Sequence, residues 1–249
     1  MSSEAKVEII EPRNFGGDVA DELVSLIGEA VSERGICRIA LSGGTTPGAV
    51  YRALGHPPRV NEVPWEKVVL FWGDERYVPH SDKQSNMNMV QETMLAGLTH
   101  GPRVHPIPTD LSDPEEAARK YDALLRAEFS GALPHFDLVL LGLGDDGHTA
   151  SLFPHSPLLQ EDGERLVAVA VSPKDGVTRI SLMPRALRAG RRILFLVSGQ
   201  AKADMAHRIL NGIGSIDEFP ALLFRDLGDT VTWYLDSGAA RKIQELGIR

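Results

Sequence analysis

Short apolar runs alternate with longer amphipathic stretches along most of the chain. Runs of strand length stand near Val7–Ile10, Arg38–Leu41, Val68–Trp72, Leu138–Leu141, Leu166–Val171, Arg192–Leu196 and Val231–Leu235. Most read as strands covered on both faces. Between them, apolar residues recur at three- and four-residue spacing over Asp18–Glu33, Asn86–Ala96, Pro114–Phe129 and Ala201–Leu210, the period of helices with one buried face. This alternation predicts an α/β fold: an open, mostly parallel, doubly wound (Rossmann-like) sheet with helices on both faces. The proline-bearing stretch Ala53 to Pro64 is too short to mark a boundary, so residues 1–249 are expected to form one domain.

The segments between strands and helices hold the polar chemistry. Five predicted loops stand out: Ser42–Pro47, Gly73–Asn86, Gly142–Pro154, Pro173–Arg179 and Ser198–Lys202. Each follows a predicted strand directly or after one residue, and in open α/β sheets ligands bind outside the carboxyl ends of the strands. The segment Phe136–Pro154 is the most informative, because a buried strand runs into Gly142-Leu-Gly-Asp-Asp-Gly-His148. Its glycines force a tight turn that places His148 at the sheet edge, where an imidazole of ordinary pKa can serve as a general base. The same letters fit the G-x-G-x-x-G dinucleotide fingerprint, but Asp145 and Asp146 would repel a pyrophosphate. The next strand also ends in Ser172-Pro173 rather than in an acidic residue. A purely structural turn with capping aspartates is the plainer alternative.

Ser42-Gly-Gly-Thr-Thr-Pro47 leaves a strand and enters a helix expected to begin about Pro47. Amides of Gly43 and Gly44, with the hydroxyls of Ser42, Thr45 and Thr46, suit an anion at a helix N-terminus. Without a lysine after the glycines it is no nucleotide-triphosphate loop, and a simple turn capped by Thr46 would use the same residues. In Gly73-Asp-Glu-Arg76, the Arg76 fork could meet a carboxylate or developing oxyanion, and Asp74 could orient water or a histidine. A local ion pair on an exposed loop reads equally from these letters. Ser85-Asn86 ends this loop where it caps a helix. Lys202 stands early in a helix, the wrong end for a cation unless an anion is bound there. Arg179, by composition, reads as exposed.

Composition narrows the function classes. With 43% hydrophobic and 24% charged residues the chain is of ordinary globular type. Its net charge of −8 argues against a broad nucleic-acid surface. No apolar run approaches a membrane span, and Met1-Ser-Ser-Glu-Ala-Lys shows no signal-peptide pattern. A single cysteine, Cys37, fits a reducing cytoplasm, and its place in an apolar strand makes it a core residue. The eight histidines show no metal-ligand spacing, so no metal or other cofactor is expected. Oligomeric state is not readable beyond monomer or weak dimer.

Together, Ser42-Gly-Gly-Thr-Thr-Pro47, Gly73-Asp-Glu-Arg-Tyr-Val-Pro79 with Ser85-Asn86, Gly142–Pro154, Arg179-Ile-Ser-Leu and Ser198-Gly-Gln-Ala-Lys202 resemble the 6-phosphogluconolactonases, within the glucosamine-6-phosphate isomerase/6-phosphogluconolactonase family. The resemblance runs from about residue 7 to residue 243. It implies hydrolysis of 6-phospho-D-glucono-1,5-lactone to 6-phosphogluconate in the oxidative pentose phosphate pathway, on a fold shared with the glucosamine-6-phosphate deaminases. Those deaminases continue past the histidine with an Asn-Glu pair, where this chain has Leu152 and Phe153, and carry Tyr in place of Arg76. Phenylalanine cannot relay a proton, so the lactonase is the expected member. On this reading His148 activates water, Asp146 or Asp74 orients the imidazole or the water, and Arg76 stabilises the oxyanion. The phosphate falls to Ser42, Gly43, Gly44 and Thr45 with Arg179 and Lys202. A non-catalytic sugar-phosphate-binding regulator is the other alternative.

Overall fold

The computed structural model describes residues 5–161 and 163–245. Expectations about the first residues of the N-terminus, and about one domain spanning 1–249, reach beyond those limits. The strands are β1 (Lys6–Ile10), β2 (Cys37–Leu41), β3 (Val68–Trp72), β4 (Asp74–Arg76), β5 (Arg103–His105), β6 (Leu138–Leu141), β7 (Val167–Val171), β8 (Thr178–Leu182), β9 (Arg192–Val197) and β10 (Val231–Asp236). The helices are α1 (Phe15–Arg34), α2 (Thr45–Leu54), α3 (Asn86–Thr93), α4 (Pro114–Glu128), α5 (Pro184–Arg188), α6 (Ala203–Leu210) and α7 (Arg241–Glu245).

Seven strands form a wholly parallel sheet in the order β1-β10-β9-β6-β2-β3-β5, the doubly wound α/β arrangement the alternation predicts. Its central members are apolar throughout: every residue of β3 and β6 is buried, as a strand covered on both faces requires. From β2 the chain steps outward to β3 and β5, then returns to lay β6 on the other side of β2. That reversal opens a crevice beyond the carboxyl ends of β2 and β6, and the turns after these strands are Ser42–Gly44 and Gly142–His148. Among the described residues, no helix is long and apolar enough to cross a membrane.

A second, antiparallel sheet, β4-β8-β7, departs from the sequence reading. The run Leu166–Val171 is a strand as expected, but it belongs to this small sheet rather than to the parallel one. The segments expected as loops, Gly73–Asn86 and Pro173–Arg179, contribute β4 and the start of β8. β4 is Asp-Glu-Arg, with no apolar alternation to announce it; its strand geometry comes from pairing with β8. The helix after β2 starts at Thr45 with Gly44 at its cap, two residues before the expected Pro47, and Thr46 is not the N-cap. Ser85 caps α3 as expected, accepting from Asn88 N at 3.2 Å.

Candidate active site

A cavity of about 690 Å³ lies over the crevice, and each of the five loops identified in the sequence contributes to its wall. The His148 turn is built by its backbone: Gly144 N donates to His148 O at 2.8 Å, and Thr149 Oγ1 donates to Gly142 O at 2.8 Å. Any side chain at Gly144 would displace the imidazole, since a Cβ there would stand 2.1 Å from His148 Nδ1. Nδ1 lies 2.5 Å from Asp146 Oδ1, so facing a carboxylate it is the protonated nitrogen and Nε2 keeps the lone pair. Burial pushes the Asp146 carboxyl up, but the hydrogen bond and charge of His148 outweigh it and bring it down to about 2. Phe153, buried in the wall, packs its ring 5.0 Å from the imidazole.

The sequence left two aspartates as partners for this histidine. The partner is Asp146; Asp74 instead accepts from Ser151 Oγ at 2.6 Å, while still lining the cavity. Ser151 escaped the sequence reading because nothing local links it to β4.

Ser42–Gly44 also lines the cavity, and Tyr51 of α2 fixes it: its hydroxyl accepts from Ser42 N at 3.1 Å and donates to Ser42 O at 3.0 Å. Ser42 Oγ is buried without a hydrogen-bond partner in the protein. Thr45 is exposed in the first turn of α2 and does not line the cavity, so the structure does not bring it to the site with Ser42, Gly43 and Gly44.

Arg76 and Arg179 are register partners across β4 and β8, and both line the cavity. Arg179 is not the exposed residue its composition suggests: it is 9% exposed, with Nε buried and unpartnered. Burial, then the charge of Arg76, hold its guanidinium below the ordinary value. Arg76 is anchored by Asn86 Oδ1 and by Gln84 O at 3.1 Å, while Asn86 Nδ2 donates to Asp74 O at 2.8 Å. Beneath them lies Glu75, 1% exposed, which the sequence showed only as one of two carboxylates after a strand. It accepts from the amides of Arg76, Asn86 and Met87 at 2.7–2.8 Å and from Ser85 Oγ at 3.0 Å. Burial raises its carboxyl, against those donors. Lys202 reaches the cavity from the turn after β9 and is hydrogen-bonded to Asp145. Cys37 is buried at the far side of the core, its thiol pushed up by desolvation, and plays no part here.

Fold and site together define an α/β protein that gathers glycine turns, cations and a histidine–aspartate pair around one cavity at the sheet edge. The chain belongs to the glucosamine-6-phosphate isomerases/6-phosphogluconolactonase family, whose model matches residues 11–233. It is 40% identical to a 6-phosphogluconolactonase of Synechocystis over 222 residues, 88% of this chain and 89% of that one. With the 6-phosphogluconolactonase of Streptomyces coelicolor it shares 36% identity over 233 residues, 90% of this chain and 88% of the other. The solved 6-phosphogluconolactonase of Trypanosoma brucei superimposes with a TM-score of 0.83 at 27% identity, covering 97% of this chain and 100% of that one.

Proposed function

We propose that this chain is a hydrolase of 6-phospho-D-glucono-1,5-lactone, yielding 6-phospho-D-gluconate in the oxidative pentose phosphate pathway. The observation that carries the reading is the His148–Asp146 pair lining the same cavity as the Ser42–Gly44 turn, Arg179 and Lys202. A base and a set of cations and bare amides in one cavity suit a small ester that carries a phosphate. Asp146 holds the imidazole in the tautomer whose Nε2 is free to take a proton. Water attacks the lactone C1 carbonyl, Nε2 accepts its proton, and the carbonyl electrons move onto oxygen. Arg76 stabilises that oxyanion. Collapse breaks the bond between C1 and the ring oxygen, which recovers the proton from His148 and leaves a hydroxyl and a carboxylic acid. Asp74 positions the water. The amides of Gly43 and Gly44, with Ser42 Oγ, Arg179 and Lys202, hold the phosphate at the start of α2.

Phe153 favours this reaction over deamination, because the buried ring against His148 has no proton to relay. The reaction needs no metal or cofactor in this scheme, and its partner is the small phosphosugar rather than nucleic acid. The acidic net charge and single buried cysteine are in keeping with a cytoplasmic enzyme. The deciding experiment supplies freshly generated 6-phosphogluconolactone and, separately, glucosamine 6-phosphate. Acid release from the lactone well above the spontaneous rate supports the proposal. Ammonia release from the amino sugar would replace it with a deaminase, and phosphosugar binding without turnover would leave a regulator.

A further inference from the structure

Both cations assigned to the phosphate are already engaged. Lys202 Nζ is bonded to Asp145 Oδ1, and an Arg179 guanidinium nitrogen donates to Asp175 Oδ2 at 2.9 Å. Each acid lines the same cavity as the cation it holds, on a turn outside the strands. The Asp145 side chain is 69% exposed and that of Asp175 43%, against 25% and 11% for their cations, and Asp175 Oδ1 also accepts from Val177 N at 3.0 Å while Oδ2 takes Arg179. The cations are thus the more buried members of the pairs, and the exchangeable contacts are the two acid–cation bonds, Asp175 staying on its turn through Val177. The cavity wall as a whole balances, with Arg76, Lys174, Arg179 and Lys202 facing Asp74, Asp145, Asp146 and Asp175. Arg179 in particular sits beside Arg76 with an unpartnered buried Nε, and Asp175, together with Asp74, offsets that repulsion.

We propose that Asp145 and Asp175 are stand-in counter-ions which the substrate's phosphate displaces, and that they set the affinity and charge selectivity of the phosphate subsite. The inference rests on the phosphate assignment made above. A dianion replaces two carboxylates charge for charge, and an Arg–phosphate contact is stronger than an exposed carboxylate pair. A monoanion or neutral sugar cannot release both cations without leaving one uncompensated. Discrimination thus comes from a competing attraction inside the empty site as well as from contacts to the ligand. The cost appears as weaker apparent affinity, since only the fraction of molecules with free cations is competent to bind.

The test titrates inorganic phosphate calorimetrically into the full chain as wild type, D145N, D175N, K202M and D145N/K202M. Each single neutralisation of an acid is expected to tighten phosphate about two- to fivefold, the range of an exposed ion pair. The D145N gain is expected to vanish in the K202M background. Unchanged or weaker binding in both acid variants overturns the inference. So does a D145N gain that survives K202M, because it would then come from the general field of the removed charge. The outcome is separable from the function: a wild type that fails to hydrolyse the lactone sinks the function while these titrations still decide the exchange. A wild type that turns over lactone, with phosphate affinity unaltered in both variants, sinks the exchange alone.

Discussion

The parallel sheet carries its site residues beyond the ends of strands, on the turns after β2, β6 and β9, whereas the antiparallel sheet carries Asp74, Arg76 and Arg179 within β4 and β8. A group on a turn is placed by nearby hydrogen bonds, as the Gly144–His148 backbone bond and the Asp146 contact place His148. A group on a strand is placed by register. Arg76 meets Arg179 only because two segments far apart in sequence pair at Asp74↔Ser181, Glu75↔Ile180 and Arg76↔Arg179. The division is also chemical, since the turns hold the histidine–aspartate pair and the glycine amides while the strands hold close-set guanidiniums at the cost of repulsion and desolvation.

The comparison breaks if the two regions fail in the same way. His148→Ala removes the proposed proton acceptor from the parallel-sheet side, and kcat is expected to fall by about 10²–10⁴-fold. Inorganic phosphate should still compete at close to its wild-type concentration, and activity undiminished in this variant would remove His148 as the base. Arg179→Met leaves the base in place and deletes a charged donor; kcat/KM should fall by roughly 10- to 100-fold, mostly through KM, the worth of a hydrogen bond to a charged group. A loss confined to kcat would move Arg179 to the reacting end of the lactone.

The same contrast governs what could be read from the chain. The Ser42–Gly44 and Gly142–His148 turns were legible because their signal is local: an apolar run, then glycines, then groups able to do chemistry. The order of their roles was less so, for nothing near His148 says that Asp146 and not Asp74 is its partner. β7 could be seen as a strand, but a valine-rich run does not say which sheet it joins. β4 and β5 were hidden by brevity and charge, since Asp-Glu-Arg and Arg-Val-His carry no period. Arg179 followed from neither composition nor position. Its burial is a consequence of β8 pairing with β4 under the cavity, a property of the assembled fold. Glu75 was likewise opaque: a carboxylate in a charged loop gives no sign that four donors converge on it in the interior.

The two regions also meet where the Ser42–Gly44 turn packs against Asn86. A Cβ on Gly43 would stand 1.9 Å from Asn86 Oδ1, and Asn86 is the residue that anchors Arg76 and bonds Asp74 O. Gly43→Ala must therefore displace Asn86 and loosen Arg76 together with the amide wall. Overpacking of this kind costs about 1–3 kcal/mol, to be read from urea denaturation beside a lowered kcat/KM. Adding Asn86→Ala should restore part of the stability without restoring activity. Recovery of both would show that Asn86 is a packing residue only.

The smallest expected effect lies in the His148 turn itself and is visible only against pH. Asp146 has an ordinary value of 3.8 and stands at about 2 in the fold, burial working against, and the His148 bond and charge working for, the depression. A carboxyl depressed on folding contributes stability that is complete above its unfolded value and is lost as pH falls through its folded one. The window is thus from about pH 4 down to about pH 2. Its side chain is 46% exposed, so solvent screens the pair and limits the contribution to about 0–1 kcal/mol. Wild type should exceed Asp146→Asn in urea stability by that margin at pH 5, and the two curves should converge as pH falls to 2. A gap unchanged across the window would mean that Asp146 supports the turn by shape and not by charge. It would then orient His148 without stabilising the imidazolium that forms during turnover, leaving the parallel-sheet side as purely geometric as the register of β4 and β8.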